Sequence, residues 1–210
     1  MKFQDLDLSR YYTYADYLSW KFEETVELIR GKVFRMSPAP HRYHQEVSSR
    51  LLTRMLYFFE DQNCKVFHAP FDVRLPLPPE KTAPEQIDTV VQPDISVICE
   101  LSKLDYRGCL GPPDWIIEII SPGSVKRDTR YKFELYEYTG VKEYWILHPE
   151  WQSVHIYRLD GRGKFVGYRP YTSDEEVSPT LFPSLTIKLG DIFPDMPDVE
   201  EALMEYYKWE

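Results

Sequence analysis

The chain has 210 residues, 43% of them hydrophobic and 15% aromatic, enough for one sizeable core and too few for two domains of workable size, so residues 1–210 read as a single domain. Its longest apolar run, Trp115 to Ile120, is interrupted by Glu118 and is far shorter than the roughly 20 residues that cross a bilayer, which excludes a membrane-spanning protein. A formal net charge of −9 argues against a uniformly basic, phosphate-binding surface, but the acidity is local: residues 191–210 hold seven acids and one lysine, leaving 27 acids against 24 bases elsewhere.

In chain order, residues 1–12 form an N-terminal extension, Thr13 caps a short helix to Trp20, and Val26 to Met36 reads as a hairpin turning at Arg30 and Gly31. From His41 to Asp61 the residues Val47, Leu51, Met55 and Phe58, with Leu52, Leu56 and Phe59, recur at helical steps and define an amphipathic helix. His44 falls on its core-facing side. Strand-like segments follow at Lys65 to His68 and Phe71 to Leu75, then a proline-rich loop from Pro76 to Gln86, then a strand from Asp94 to Ile98. Trp115 to Ile120, bounded by Pro113 and Pro122, has the pattern of a central strand buried on both faces. Asp128 offers an N-cap for a helix to Thr139, ended by Gly140, and Lys142 to Leu147 is the next strand. Val154 and Ile156 alternate within Ser153 to Arg158, an antiparallel strand joined through the Asp160 to Gly163 turn to Lys164 to Tyr168. Val199, Leu203 and Tyr206 place an amphipathic, acidic helix in residues 194–210. The whole predicts an α/β (α+β) fold, a mixed sheet flanked by helices. Three cysteines, Cys64, Cys99 and Cys109, without metal-ligand spacing, and a start unlike a signal peptide fit a reducing cytoplasm.

Three residues break the apolar pattern where they stand. Glu118 shares its strand face with Ile116 and Ile120, where an ionised carboxylate costs several kcal/mol (~) unless a cation, a hydrogen-bond network or a wet cleft compensates. Asp94 shares a face with Ser96 and follows Pro93, which forces an extended entry; by itself the pair reads as a strand start. Lys132 lies with Asp128, Leu135, Tyr136 and Thr139 on one helix face that should pack on the sheet, and an ammonium there needs an anion. A salt bridge between Lys132 and Glu118 is the structural explanation. The functional one is metal-assisted phosphodiester hydrolysis: carboxylates suit Mg²⁺, with Mn²⁺ as substitute, and the lysine orients the attacking water or offsets developing charge. Lys126, Arg127 and Arg130 would hold the flanking phosphates.

The segments Val26-Glu27-Leu28-Ile29-Arg30-Gly31-Lys32-Val33, Met36-Ser37-Pro38 with His44, Gln92-Pro93-Asp94, Ile117-Glu118-Ile119-Ile120-Ser121-Pro122, Asp128 and Lys132 with Tyr136, and Gly140-Val141-Lys142-Glu143-Tyr144-Trp145 together resemble the Uma2 family of restriction-endonuclease-like proteins, over roughly residues 13–193. The resemblance implies the fold of the PD-(D/E)XK superfamily. It implies a Mg²⁺-dependent endonuclease acting on DNA, with Asp94, Glu118 and Lys132 catalytic, Glu27 an auxiliary acid and His44 a further active-site residue. Asp94, Glu118 and Ile119 are the implied metal ligands. The superfamily lysine would stand at position 120, which is Ile120 here, so the role moves to Lys132. Arg30 and His148 stand where such proteins often carry Asp.

Two other classes compete. A non-catalytic interaction module would keep the fold without turnover, and a glycosidase would use Asp94 and Glu118 as its acid pair but give Lys132 no role. His41 and His44 lack a third ligand at zinc spacing. A homodimer would suit an enzyme that cuts two strands.

Overall fold

The structure, a computed structural model, describes residues 3–36 and 41–195. The expected amphipathic helix of Val199 to Tyr206 lies outside the described residues, and residues 194 and 195 are not helical.

The N-terminal segment opens with helix α1 (Tyr14–Ser19), whose N-cap Thr13 accepts from the Asp16 amide while the Asp16 carboxylate accepts from the Thr13 amide, a complete capping box. Strands β1 (Val26–Ile29) and β2 (Lys32–Arg35) pair antiparallel through Arg30 and Gly31. Both turn residues have positive φ, 49° and 73°, as a two-residue hairpin demands. A Cβ on Gly31 would lie 2.3 Å from the Tyr11 ring, so glycine also lets the extension close over the turn. Residues 3–12 are thereby part of the fold, with Leu6 and Tyr12 buried against Leu28 and Val90.

Helix α2 (Arg42–Phe59) buries Val47, Leu51, Met55 and Phe59, while Leu52 and Phe58 of the expected apolar set are partly buried and Leu56 is exposed. Strands β3 (Lys65–His68), β4 (Val73–Arg74), β5 (Val90–Val91), β6 (Ile95–Ile98), β7 (Leu104–Asp105), β8 (Gly108–Leu110) and β9 (Trp115–Ile119) follow. Next come a π-helical turn over Arg127–Lys132, helix α3 (Phe133–Thr139), and strands β10 (Glu143–His148), β11 (Ser153–Leu159), β12 (Phe165–Gly167) and β13 (Tyr171–Thr172). Strands β14 (Glu176–Val177) and β15 (Ile187–Lys188) with helix α4 (Leu189–Ile192) complete the described chain. The central sheet has the order β12-β11-β10-β9-β6-β3, with β13 beside β11; only β9 and β10 run parallel within it. A second sheet, β2-β1-β5-β4-β8-β7, abuts it, and the chain passes from one sheet to the other at Gln92–Asp94. Proline at position 93 suits that crossing, because it fixes an extended entry and needs no ladder hydrogen bond.

The central sheet is buried on both faces. On one, Ile95, Val97, Trp115, Ile117, Trp145 and Leu147 pack under α2 and the C-terminal β14–α4 segment. On the other, Ile116, Ile120, Tyr144 and Ile146 meet Leu135 and Tyr136 of α3 together with the second sheet. This is the mixed sheet flanked by helices that the sequence predicts. No helix among the described residues is long and apolar enough to cross a membrane.

Two readings are corrected. Asp128 is not an N-cap: helical hydrogen bonding begins upstream, where the Asp128 amide donates to Ser124, and Asp128 is buried inside the π-helical turn. Its carboxylate is drawn to charged partners described below. Cys64 and Cys99, adjoining the paired ends of β3 and β6, are joined by a disulfide, which an odd cysteine count did not suggest; Cys109 stays free and buried.

Candidate active site

Asp94 and Glu118 meet because of strand register. Ile95 pairs with Ile117 and Ser96 with Ile116, so the next rung sets Asp94 opposite Glu118 at one end of the central sheet. Cross-strand neighbours of this kind have Cβ atoms about 5 Å apart. The π-helical turn then lays its inner face over the same end, and the hairpin β1–β2 brings Glu27 in from the second sheet. With α2 starting close by, these elements enclose a cleft of about 340 Å³ whose walls include His44, Ser48, Gln92, Asp94, Glu118, Ile119, Ser124, Arg127, Asp128 and Lys132.

Lys132 sits at its centre with a side chain only 1% exposed. Its Nζ lies 2.7 Å from Glu27 Oε1, 2.8 Å from Glu118 Oε1 and 3.7 Å from Asp128 Oδ1. Tyr136, one turn further along, donates its hydroxyl to the same Glu118 oxygen at 2.8 Å. Both donors to Glu118 fall on Oε1, which leaves Oε2 for another ligand. Glu27 Oε1 also accepts the Gln92 amide at 2.9 Å, tying the hairpin to the crossing that delivers Asp94. Asp94 has different partners: His44 Nε2 lies 3.2 Å from Oδ1, and the Ile119 amide donates to Oδ2 at 2.7 Å.

Burial and crowding set the electrostatics. Burial drives the Glu118 carboxyl well above the usual range; Lys132 pulls it back while Asp128, Asp94 and Glu27 push it further up. Asp128 is likewise raised, first by burial, against the pull of Lys132 and Arg127. For Lys132 burial alone would favour the neutral amine, but Glu118, Glu27 and Asp128 together outweigh it and hold the group as an ammonium. Burial opposes charging of His44 too, yet the Asp94 contact raises it above its ordinary value. Burial, with Glu118 beside it, keeps Tyr136 a phenol and hence a donor.

Three buried carboxylates, Glu27, Glu118 and Asp128, thus face two permanent cations, Lys132 and Arg127, with Asp94 beside them against His44. Glu27 Oε2 and Asp128 Oδ1 are buried without a hydrogen bond: Arg127 Nε approaches them to 3.4 and 3.5 Å but is not aligned to donate. Among the described residues no three His, Cys, Asp or Glu side chains converge closely enough to hold an ion by themselves. An oxygen-only site with two carboxylates nevertheless fits Mg²⁺, which keeps several of its waters. A purely structural Lys132–Glu118 bridge would need one acid at the ammonium, and three are present.

Of the residues singled out from sequence, Asp94, Glu118, Lys132, Glu27 and His44 all reach this one place, and Ile119 touches it through its main chain. His44 faces Asp94 and the cleft rather than the core. Lys132 serves Glu118 and Glu27 and makes no ion pair with Asp94. The basic segment is corrected in part: Arg127, its side chain 15% exposed, is committed to Glu27 and Asp128. Arg130 pairs with Glu134 at the surface, and Lys126 lies over the Tyr131 ring. Asp128 as an acid of the site and Tyr136 as a hydrogen-bond donor were missed; the spacing Asp128-Lys132-Tyr136, one residue per turn on a buried face, was the signal.

Comparisons with known proteins bear on this geometry. The model of the Uma2 family, described as "Putative restriction endonuclease", matches residues 14–190. Among solved structures, a crystal structure described as a "putative nuclease belonging to DUF820" from Anabaena variabilis ATCC 29413 superposes with a TM-score of 0.67 at 21% identity, covering 87% of this chain and 97% of that one. At that identity the likeness shows a shared fold. None of the curated proteins matches the chain.

Proposed function

The chain belongs to the Uma2 family, whose description is "Putative restriction endonuclease", and we propose that it is a Mg²⁺-dependent endonuclease hydrolysing phosphodiester bonds of DNA. The observation that carries this reading is the cleft itself: carboxylates on adjacent strands and one fully buried ammonium between acids of both sheets. Asp94 and Glu118 would hold the ion through carboxylate oxygens and Ile119 through its main-chain oxygen. When bound, such an ion supplies Lewis-acid polarisation of a phosphate oxygen and a water of lowered pKa.

The chain's own residues have distinct parts. Lys132, held protonated by three carboxylates, is not a base; it donates to Glu118 and Glu27 and offers positive charge against the charge that develops on the phosphate. Tyr136 fixes Glu118 by donating to Oε1, so the carboxylate presents Oε2. Ile119 and His44 fix Asp94 in the same way through Oδ2 and Oδ1. Arg127 neutralises part of the charge on Glu27 and Asp128 and keeps them from competing with Asp94 and Glu118 for the ion.

The test is incubation of the purified protein with plasmid, single-stranded and branched DNA in Mg²⁺ or Mn²⁺, beside Glu118→Ala. Cleavage that requires the metal and falls at least ~10²-fold in the variant is the expected result. Equal cleavage by wild type and variant would remove Glu118 from the reaction, and none by either would assign the fold to a non-catalytic interaction module.

A further inference from the structure

Beyond the cleft, an aromatic row runs along the sheet to its rim. His148, the last residue of β10, is stacked on Trp151 with ring centroids 5.1 Å apart and planes 10° from parallel. His155 approaches His148 to 5.2 Å, and Tyr157 continues the row at 6.4 Å from His155. Trp151 is 74% exposed, on the short turn that joins β10 to β11.

The register places this row beside the carboxylates. Leu147 pairs with Ile119 and Ile146 with Glu118, in parallel strands. His148 alternates with Leu147 and so shares the face of Ile146 and Glu118, a diagonal step further toward the end of the sheet. The strand of Asp94 is two strand spacings from that of His148, about 10 Å. That is within the reach of one or two nucleotides of an extended strand whose phosphate occupies the cleft.

We propose that Trp151, backed by His148, is a base-stacking platform at the rim of the cleft, and that the substrate is nucleic acid with an unpaired base next to the scissile phosphate. This deepens the nuclease reading and rests on it. The exposed indole offers an unoccupied π face, and its backing ring fixes the orientation of that face. Stacking on a flat aromatic surface is how single strands are held without reading their sequence, whereas a paired base has no free face. The chemistry selects a base over a phosphate. Burial, together with His155, lowers the His148 imidazole to about 4, and burial lowers His155, so both rings are neutral at physiological pH. The neighbour Glu150 is exposed and acidic, which disfavours a phosphate at this point.

The test is fluorescence anisotropy of the full chain in Ca²⁺, substituted for Mg²⁺ to suppress turnover. The probes are short oligothymidylate, an abasic deoxyribose-phosphate strand of equal length, and a duplex. Wild type should bind oligothymidylate more tightly than the abasic strand. Trp151→Ala should lose about 5- to 150-fold on oligothymidylate, the factor of one base–aromatic stack, while abasic binding stays within about twofold. Trp151→Phe should retain most of the difference. Circular dichroism confirms that these surface variants are folded. Equal binding of oligothymidylate and the abasic strand by wild type, or an unchanged affinity in Trp151→Ala, overturns the platform. Cleavage of single-stranded DNA assayed in parallel with Mg²⁺ or Mn²⁺ separates the two claims. Trp151-dependent binding without cleavage keeps the platform and removes the nuclease, and the converse keeps the nuclease alone.

Discussion

Replacing Lys132 by methionine keeps the volume of the stem and removes the charge, and its consequence follows from the distances. Glu27 and Glu118 lose an ammonium at 2.7 and 2.8 Å, and Asp128 one at 3.7 Å, in a place where all three are buried. Removing one partner of a buried ion pair costs about 3–5 kcal/mol, because the remaining charge stays desolvated. Carboxylates escape that penalty by binding protons, so the loss depends on pH. Glu118 already has a folded-state pKa raised above the unfolded one, and loss of Lys132 raises it further. Over the window between the unfolded value, about 4.3, and that raised value the native state binds more protons than the unfolded state. Stability therefore falls as pH rises through it. Urea unfolding followed by fluorescence of the buried Trp115 and Trp145 should find Lys132→Met about 3–5 kcal/mol less stable than wild type near pH 8 and visibly closer to it near pH 5. Adding Glu118→Gln to the variant should recover about 1–2 kcal/mol at pH 8, since the two groups touch and their effects are not additive. A Lys132→Met protein as stable as wild type at pH 8, or one whose deficit is the same at both pH values, would refute the electrostatic account.

Three further outcomes follow. Tyr136→Phe removes the hydroxyl that reaches Glu118 in a fully buried setting and should cost about 1–3 kcal/mol in urea unfolding, with a smaller loss of cleavage than Lys132→Met. Cys64→Ser should lower stability by about 2–4 kcal/mol under oxidising conditions, because the bridge to Cys99 closes a sequence separation of 35; with excess dithiothreitol the two proteins should unfold alike. His148 has its pKa lowered to about 4, first by burial and then by His155, below the roughly 6.5 of an unfolded histidine. Between those values the unfolded chain binds the extra proton, so this group's contribution to stability declines as pH falls from about 6.5 toward 4. His148→Gln should flatten that part of a thermal-melt pH profile.

Sequence reasoning reached most of the fold because the periodic elements are long and one-sided. The stripe on α2, the isoleucine-rich β9 and the Arg30–Gly31 turn each have a single physical reading. It failed where tertiary partners override local preference. Asp128 has the chemistry of an N-cap, but Lys132 and Arg127 draw its carboxylate inward and the helix starts upstream. Arg127 belongs to a basic run that looks like solvated surface, yet its guanidinium turns toward Glu27, 100 positions away in sequence and brought close by the second sheet. The disulfide was hidden because the β3–β6 register, which no count of cysteines reveals, is what aligns Cys64 with Cys99. In the site, Glu118 and Lys132 were legible as charges in apolar company. The Asp94–His44 contact was not, since it depends on where the first turn of α2 sits relative to the sheet end.

If Asp94 and Glu118 jointly hold one divalent ion, cleavage depends on its presence. The decisive experiment is calorimetric titration of Mn²⁺ into wild type and Asp94→Asn, with cleavage of single-stranded DNA recorded over the same metal concentrations. Wild type should bind one ion per chain, with cleavage rising with occupancy, and Asp94→Asn should lose both. Cleavage that persists in Asp94→Asn, or that proceeds in wild type with the metal chelated, would contradict this expectation.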